Sequence, residues 1–363
     1  MDFSVPPEVE ALRREALDFG RAAAAKMPKE YAGVWSSREF SLAMGRKGWL
    51  GMTWPTQHGG HGRSPLERFI VQEALISVGA PMGRTWVSDR QIGPALLAFG
   101  SDAQRRRFLP GIIRGEDCWS IGLSESEAGS DVSAMRTKAV REGDFFVVTG
   151  RKMWTSFAIE SEFLYLIARS EFDCPAHESL SELIVDLKSP GVTVQPIRDM
   201  TGGHRFCEIT FDEVRVPAEN LVGSPGGAFR QVMRQLEFER AGIDRLMSNR
   251  LLYEAALEAA DTQDPVVRQE IADLEIGFRT GRLMVMRSLL GKPPKAYSAL
   301  TKVFCTQHQQ RISAFAERAL EAAGLSDAAL VKAMCYSPAY TIQGGTSEVL
   351  NNVIGERLLG LPR

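Results

Sequence analysis

The feature that most constrains this sequence is a change of hydrophobic period in the middle of the chain. Up to about residue 115, and again from about residue 228, apolar residues recur at steps of three and four, which is typical of amphipathic helices. Between these halves, residues 145–150 alternate as in a strand, with turn signals at residues 142–144 and 149–151. The pattern predicts helices, then a small β-domain, then a helical bundle.

The stretch around the predicted strand is rich in groups that bind ligands. It opens with a loop of small residues that contains Ser124 and Ser130, and it closes with Trp154, Thr155 and Ser156. Hydroxyl and backbone N–H groups at one end and a large aromatic ring at the other suit a flat cofactor that carries phosphate. A hairpin in an ordinary β-domain is the alternative that this pattern leaves open.

Composition excludes several classes of protein. The length of 363 residues allows two or three domains, and 44% hydrophobic residues are enough for a substantial core. A net charge of −2 gives no electrostatic footprint for nucleic acid or an anionic membrane. The five cysteines lie far apart, without a Cys/His cluster, so we expect no disulfide framework and no metal site. We recognise no signal peptide and no apolar run of roughly 20 residues, so we expect a cytoplasmic protein.

Further elements are predicted from apolar spacing and from Gly, Pro and capping residues. The helices are expected at residues 7–26, 37–48, 65–79 and 88–99, in a segment opened by Ser101 and Asp102, in a long helix from Gly226, at 266–291, 295–324 and 326–340, and after Gly344 and Gly345 with Thr346 or Ser347 as N-cap. The strands are expected in residues 163–170, 181–187, 191–197 and 206–217.

Glu239 is notable because it shares a helical stripe with apolar residues. It follows Leu236 by three positions and precedes Ile243 by four in the predicted long helix. Burial raises the pKa of a carboxylate and therefore its basicity, which a general base requires. A buried ion pair with an arginine is the alternative that the spacing leaves open.

Four motifs in the chain have the order and spacing of a known family. They are SESEAGSD at residues 124–131, GRKMWTS at 150–156, QLEFER at 235–240 and IQGGTSEVLNNVIGERLLGLP at 342–362. With these motifs, nearly the whole chain resembles the acyl-CoA dehydrogenase family. The resemblance implies a mainly α fold with a β-domain, made of an N-terminal helical domain (1–116), a middle β-barrel-like domain (117–225) and a C-terminal four-helix bundle (226–363).

Members of this family bind FAD, oxidise an acyl-CoA thioester to the trans-2-enoyl-CoA and usually pass the electrons to an electron-transfer flavoprotein. The resemblance therefore implies a tetrameric flavoprotein oxidoreductase of fatty acid or sterol degradation. Carried over by position, it implies flavin contacts from Ile121, Leu123, Ser124, Gly129, Ser130, Trp154, Thr155, Ser156, Thr346 and Glu348. It implies substrate contacts from Ser130, Glu237, Arg240 and Gly345.

The sequence departs from the family at the usual catalytic glutamate. Gly344 occupies that position, and glycine has no group that can abstract a proton. Some branched-chain, long-chain and sterol-type members carry the base on the first long C-terminal helix, immediately before an arginine, where this chain has Glu239 and Arg240. The resemblance and the apolar stripe thus both indicate Glu239 as the base. The backbone N–H of Gly344 is expected to hold the thioester oxygen.

Two further departures concern contacts with a neighbouring subunit. The family's Arg-x-x-Phe-Gly motif is missing from residues 260–265, and its Gln-x-x-Gly-Gly loop is missing from residues 320–325. This pattern resembles the base-bearing subunit of heterotetrameric, sterol-side-chain-type members, and it implies a paralogous partner. A non-catalytic partner subunit, an acyl-CoA desulfinase and an oxidase are the alternatives. Arg90 could meet a substrate carboxylate, although a surface arginine is the plainer interpretation.

Overall fold

The computed structural model describes residues 5–27, 36–240, 242–291, 293–324 and 328–362, and for residues 236–239 it describes the backbone but not the side chains. The chain forms two compact units, each assembled from separate parts of the sequence. The first contains Met1–Trp35, Arg63–Met82 and Glu237–Arg363, and the second contains Ser36–Gly62 and Gly83–Leu236. The domain boundaries at residues 116/117 and 225/226 stay a prediction.

Helices occur in both units. In chain order, the α-helices of the described residues are α1 (Pro7–Ala24), α2 (Arg38–Arg46), α3 (Pro65–Ser77), α4 (Gly83–Val87), α5 (Gly93–Phe99), α6 (Asp102–Ile113), α7 (Ala228–Arg240), α8 (Asp244–Met247), α9 (Arg250–Ala259), α10 (Pro265–Leu290), α11 (Tyr297–Ala322), α12 (Ala328–Tyr336), α13 (Pro338–Ile342) and α14 (Ser347–Val353).

In the first unit, α11 is the central helix. It packs against α8, α9, α10, α13 and α14, and its buried residues include Ile312 and Phe315. The pair α1 and α3 is tied to this bundle by Glu73, which is 5% exposed. Its carboxylate lies 2.6 Å from Arg13 on α1 and 2.6 Å from Arg282 on α10. A buried carboxylate needs such partners because an isolated charge is costly to desolvate.

The second unit is built around a sheet. Its strands are β1 (Trp119–Gly122), β2 (Lys138–Glu142), β3 (Phe145–Ser156), β4 (Phe163–Arg169), β5 (Leu180–Asp186), β6 (Val192–Ile197), β7 (Phe206–Pro217) and β8 (Leu221–Val222). Their order is β6-β7-β3-β2-β4-β5-β8, and β1 pairs in parallel with β4. The interiors of β4 and β5 are buried without alternation, which is typical of strands covered on both faces.

The predicted β-hairpin is present, but one of its turn signals has another role. Gly143, with a φ of +59°, lies in the turn between β2 and β3, as predicted. Residues 149–151 do not turn; they continue β3, and the register against β7 shifts between Val148 and Gly150. Gly150 has a φ of +146°, so the glycine serves a β-bulge within the strand.

Three predicted helix starts are confirmed by their capping geometry. The side chains of Ser37, Ser101 and Thr346 each accept a hydrogen bond from the backbone N–H three residues later. Such bonds satisfy one of the donors that the first turn of a helix leaves unpaired. These ends were predictable because the capping residue and its acceptor are local in sequence.

Two predicted C-terminal helices are divided. The segment 326–340 contains α12 and α13, and Pro338 begins the second because proline has no N–H for a continuing helix. The long helix predicted from Gly226 is wrong as a single element, since α7 ends at Arg240 and α8 and α9 follow. Gly242, a poor helix former, lies in that break.

The predicted fold class, mainly helical with a β-domain, is confirmed by the helices and the sheet of the described residues. Within the same residues, no helix is both long enough and apolar enough to cross a bilayer.

Candidate functional site

The predicted site residues fall in two groups, one in each unit. In the second unit, the end of β1 lies against the end of β3. The backbone N–H of Met153 donates to the carbonyl oxygen of Ser124 at 2.9 Å, and the hydroxyl of Ser120 donates to the carbonyl oxygen of Ser156 at 2.8 Å. These bonds bring together the predicted flavin contacts Ile121, Leu123, Ser124, Trp154, Thr155 and Ser156.

A buried ion pair, which the sequence did not reveal, fixes this arrangement. Lys152 is fully buried, and its Nζ lies 2.8 Å from the carboxylate of Glu125 and 3.1 Å from the carbonyl oxygen of Leu123. The same carboxylate accepts backbone N–H bonds from Arg136 at 2.6 Å and Thr137 at 2.9 Å. Burial lowers the pKa of Lys152 to about 8, although Glu125 opposes this.

The loop tip after Glu125 is open. Gly129 and Ser130 are both exposed, and a Cβ built on Gly129 would have no atom within 4 Å. Ala128, just before them, is buried and pairs with Glu125 in an isolated β-bridge, so the tip is anchored at its base. Backbone at such a tip can approach a ligand closely.

A second β-bulge exposes the predicted flavin-covering tryptophan. The register between β3 and β7 shifts between Lys152 and Thr155, and Trp154 within the shift has a φ of +60°. Trp154 is 54% exposed, with its ring edge-on to Phe206 at 6.0 Å. The next side chain, Thr155, is buried, and its hydroxyl has no hydrogen-bond partner among the described residues. A large exposed ring fits the face of a flat ligand.

In the first unit, the predicted active-site loop is held by two cations. Gly344 and Gly345 have φ values of +72° and +98°, a region that favours glycine. Arg240 donates from Nε to the carbonyl oxygen of Gly344 at 3.2 Å, and Lys302 donates from Nζ to that of Gly345 at 2.9 Å. Lys302 was missed from the sequence because its spacing on α11 gives no sign that it reaches this loop.

The helix that follows the loop carries the remaining predicted flavin contacts. Thr346 is its N-cap, and Glu348 is exposed in the first turn. The Glu348 backbone N–H and the Thr346 hydroxyl hold the pKa of the Glu348 carboxyl below its usual value. Between them, Ser347 is buried with a hydroxyl that has no hydrogen-bond partner among the described residues.

The backbone positions of Glu237 and Glu239 lie in the last turn of α7, but their side chains lie outside the described residues. Arg240 ends that helix and is 9% exposed. The apolar stripe that predicts burial of Glu239 requires a continuous helix to Ile243. Since α7 ends at Arg240, that continuity is wrong, and the roles of both glutamates stay predictions.

A buried carboxyl group in the second unit was also missed. Glu182 on β5 is fully buried and accepts hydrogen bonds from Tyr165 at 2.7 Å, Gln231 at 2.6 Å and Gln235 at 2.9 Å. Burial raises the pKa of Glu182 to about 7, although these donors oppose the rise. The network joins α7 to the sheet. The sequence signal was a glutamate inside a mostly apolar strand.

Arg90 is not the surface residue that the plainer interpretation expected. It is 8% exposed, lies in a π-helical turn (Ser88–Ile92) and stacks on the ring of Trp86 at 5.1 Å. The turn precedes α5, so residues 88–99 are not one regular α-helix. In the part of the chain that the structure describes, no three His, Cys, Asp or Glu residues are grouped as metal ligands.

Comparison with known proteins gives matches along the chain. Three domain families match: acyl-CoA dehydrogenase, N-terminal domain, at residues 6–116; acyl-CoA dehydrogenase, middle domain, at residues 120–214; and acyl-CoA dehydrogenase, C-terminal domain, at residues 226–359. Acyl-CoA dehydrogenase IpdE1 of Mycobacterium tuberculosis is 32% identical over 355 residues, which cover 92% of this chain and 90% of that protein.

Two solved structures are similar over the full length of both chains. The steroid ACAD Tcur3481-Tcur3483 has a TM-score of 0.89 with 27% identity, and it covers 100% of each chain. The ChsE4-ChsE5 complex from Mycobacterium tuberculosis has a TM-score of 0.86 with 30% identity, again with 100% of each chain covered. Each of these two structures is named for a pair of different proteins.

Proposed function

The chain belongs to the acyl-CoA dehydrogenase family, and we propose that it removes the α- and β-hydrogens of an acyl-CoA thioester with Glu239 as the base. The family is FAD-dependent, so the protein is a flavoprotein oxidoreductase. The observation that carries the proposal is the hydrogen bond from Arg240 to Gly344. Because of that bond, the end of α7, where Glu239 lies, runs beside the loop that carries the usual base in other family members.

The reaction separates the two hydrogens of the Cα–Cβ bond. Glu239, as a carboxylate, takes the α-proton, and the β-hydrogen leaves with its electron pair. Ser124, Ser130, Trp154 and Ser156 would hold FAD, which would supply the hydride acceptor, N5. The thioester oxygen gains negative charge as the α-proton departs, and the backbone N–H of Gly344 donates to it. Glycine at this position keeps the donor and leaves room for a bulky acyl group.

Residues 121–130 and 152–156, at the ends of β1 and β3, are called the flavin cradle here. This cradle of the second unit is suited to FAD. Its exposed tryptophan would cover the flavin ring, and its open glycine tip lets backbone N–H groups approach a phosphate. The proposed flavin contacts in the second unit are Ile121, Leu123, Ser124, Gly129, Ser130, Trp154, Thr155 and Ser156. The family resemblance also proposes Thr346 and Glu348 as flavin contacts. Ser130, Glu237, Arg240 and Gly345 are the proposed substrate contacts.

We infer that the substrate is a bulky acyl-CoA of the sterol-side-chain type and that the electrons pass to an electron-transfer flavoprotein. The similar structures include a steroid ACAD, which supports this substrate class. Gly344 supports it physically, because the missing side chain enlarges the space near the thioester.

We also propose that a paralogous chain completes the FAD site. The loop between α9 and α10, at residues 260–264, lacks the family's arginine, and the segment after α11 lacks its glutamine. Leu325 of that segment lies outside the described residues. The two similar structures named for pairs of proteins support a heteromeric assembly.

Two experiments test these proposals. Glu239→Gln is expected to keep FAD and to lower the dehydrogenation rate by roughly 10³-fold, whereas the exposed Glu258→Gln control on α9 keeps full activity. Turnover by Glu239→Gln equal to that of the control would remove Glu239 from the role. Expression without a partner is expected to give substoichiometric flavin, and a fully yellow homotetramer would contradict the heteromeric assembly. Sulfite release from a sulfinyl-CoA without flavin bleaching would favour the desulfinase alternative.

A further inference from the structure

Lys302 is a buried cation beside the loop that carries the proposed oxyanion donor. It lies in the second turn of α11, its side chain is fully buried, and its ammonium donates to the carbonyl oxygen of Gly345 at 2.9 Å. Arg240 donates to the preceding carbonyl, that of Gly344, at 3.2 Å. Two consecutive carbonyl groups of a glycine pair are thus each held by a different cation.

This arrangement fixes a backbone that would otherwise be free. Neither Gly344 nor Gly345 has a side chain, and both have positive φ angles, so the pair has more conformational freedom than other residues in an unconstrained loop. Because peptide units are planar, holding two successive carbonyl oxygens fixes two successive peptide planes. The N–H of Gly344 belongs to the preceding peptide unit, which is joined to the first fixed plane through the φ and ψ angles of Gly344.

Arg240, Arg245 and the protonated form of Lys302 give the loop a positive environment. Burial lowers the pKa of Lys302 to about 7, and repulsion by Arg245 and Arg240 acts in the same direction, with Glu348 opposing it. Arg245 is itself buried and lies 3.4 Å from the carboxylate of Asp244. A glutamate at position 344 would add a negative charge here, whereas Gly344 adds none.

We propose that Lys302 is a positioning residue for the dehydrogenation: together with Arg240 it holds the Gly344 and Gly345 peptides so that the thioester oxygen meets an aligned donor in a positive field. The inference rests on the proposed function, in which that oxygen gains charge as the α-proton passes to Glu239. Aligned donors and nearby cations stabilise such charge strongly where water is excluded. Burying the charged Lys302 beside two arginines lowers the stability of the fold, and a role in the reaction gives a reason for this cost.

Lys302→Met tests the proposal on the FAD-loaded protein. Lys302 donates to a carbonyl oxygen and not to a carboxylate, so Lys302→Met leaves no opposite charge unpaired, and the variant is expected to fold and to keep flavin. We expect kcat to fall by about 10- to 100-fold while KM changes less than about threefold. Lys302→Arg, which keeps a buried cation, is expected to recover part of kcat. Lys295→Met, an exposed lysine in the loop before α11, is the matched control.

A second readout separates this inference from the proposed function. A 3-oxoacyl-CoA bound to the protein forms an enolate, and the ultraviolet absorbance of the enolate gives the pKa of its α-proton. The wild type is expected to lower this pKa, and Lys302→Met is expected to raise it by about one unit, a tenfold change. An unchanged pKa in Lys302→Met, or wild-type kcat, would overturn the inference. If the wild type itself left the pKa of the ligand unchanged, the proposed function would fail first.

Discussion

Lys152 and Glu125 form an ion pair of 2.8 Å in which the lysine is fully buried and the carboxylate is 9% exposed. The pair joins β3 to the loop that follows β1, and it underlies both halves of the proposed flavin cradle. Its energetic role follows from its burial. A buried charge without its partner is strongly destabilising, because the remaining group has lost water and gained nothing in return.

Removing one partner of this pair is therefore expected to destabilise the second unit. Lys152→Met leaves the Glu125 carboxylate unpaired, and we expect the free energy of unfolding to fall by about 3 kcal/mol. Flavin content should fall with it, because the loop that bears Ser124 loses its anchor. Urea unfolding and the flavin absorbance of the purified variant measure these effects.

The double variant Lys152→Met/Glu125→Gln provides the control for that experiment. It removes both charges, so much of the lost stability should return, while flavin binding stays impaired. A single variant that lost less than about 1 kcal/mol would show that the pair is not the anchor of the loop.

Glu182 predicts a particular pH dependence of stability. Its pKa rises from 4.5 in the unfolded chain to about 7 in the folded protein. The folded protein thus holds the proton more tightly, so the stabilising contribution is complete below pH 4.5 and is lost as the pH rises through 7. The full change is about 3 kcal/mol, because each pKa unit corresponds to about 1.4 kcal/mol.

Urea unfolding of wild type and Glu182→Gln between pH 4.5 and pH 8 tests this sign. The stability of the wild type relative to the variant should decrease across that range, because glutamine does not titrate. Glu142→Gln, an exposed carboxylate at the end of β2, should show no such difference. A relative stability that rose with pH would contradict the raised pKa.

Trp154 should matter for flavin binding and not for folding. Its side chain is 54% exposed, so Trp154→Ala removes little buried area from the protein itself. We expect a change in unfolding free energy within about 0.5 kcal/mol and a loss of FAD affinity of about tenfold. Phe172→Ala removes another exposed ring, 48% accessible, from the same unit and should leave FAD affinity unchanged. Equal affinities in the two variants would contradict a flavin-covering role.

The parts of the fold that the sequence predicted are local ones. Helix starts at Ser101 and Thr346 depend on a side chain and an N–H three residues apart, and the turn at Gly143 depends on one positive φ. The end of the long helix at Arg240 was missed because its apolar stripe continues through the break. Periodicity reports which residues become buried, and it does not report whether the helix between them is continuous.

The missed parts of the site are charges that only tertiary structure pairs. Glu182 and Lys302 each lie in a segment whose neighbours are mostly apolar, where a charged residue looks like an exception to the pattern, whereas Lys152 follows Arg151 on β3. Their partners lie between 17 and 53 residues away in sequence. Spacing rules cover the few positions of one turn or one strand pair, so they cannot identify such pairs.

Substitution of Gly345 separates the effect of backbone strain from the effect of displacing Arg240. A Cβ at this position would lie 3.3 Å from Nη2 of Arg240, and the φ of +98° already disfavours any other residue. Gly324→Ala is the matched control, because Gly324 has a φ of +65° and no atom within 4 Å of a built Cβ. Both variants should lose about 1 kcal/mol or more of unfolding free energy from the backbone alone. Gly345→Ala should additionally lower kcat by about tenfold, because displacing Arg240 frees the carbonyl group of Gly344. Equal kcat values in the two variants would show that the hydrogen bond from Arg240 to Gly344 does not position the loop.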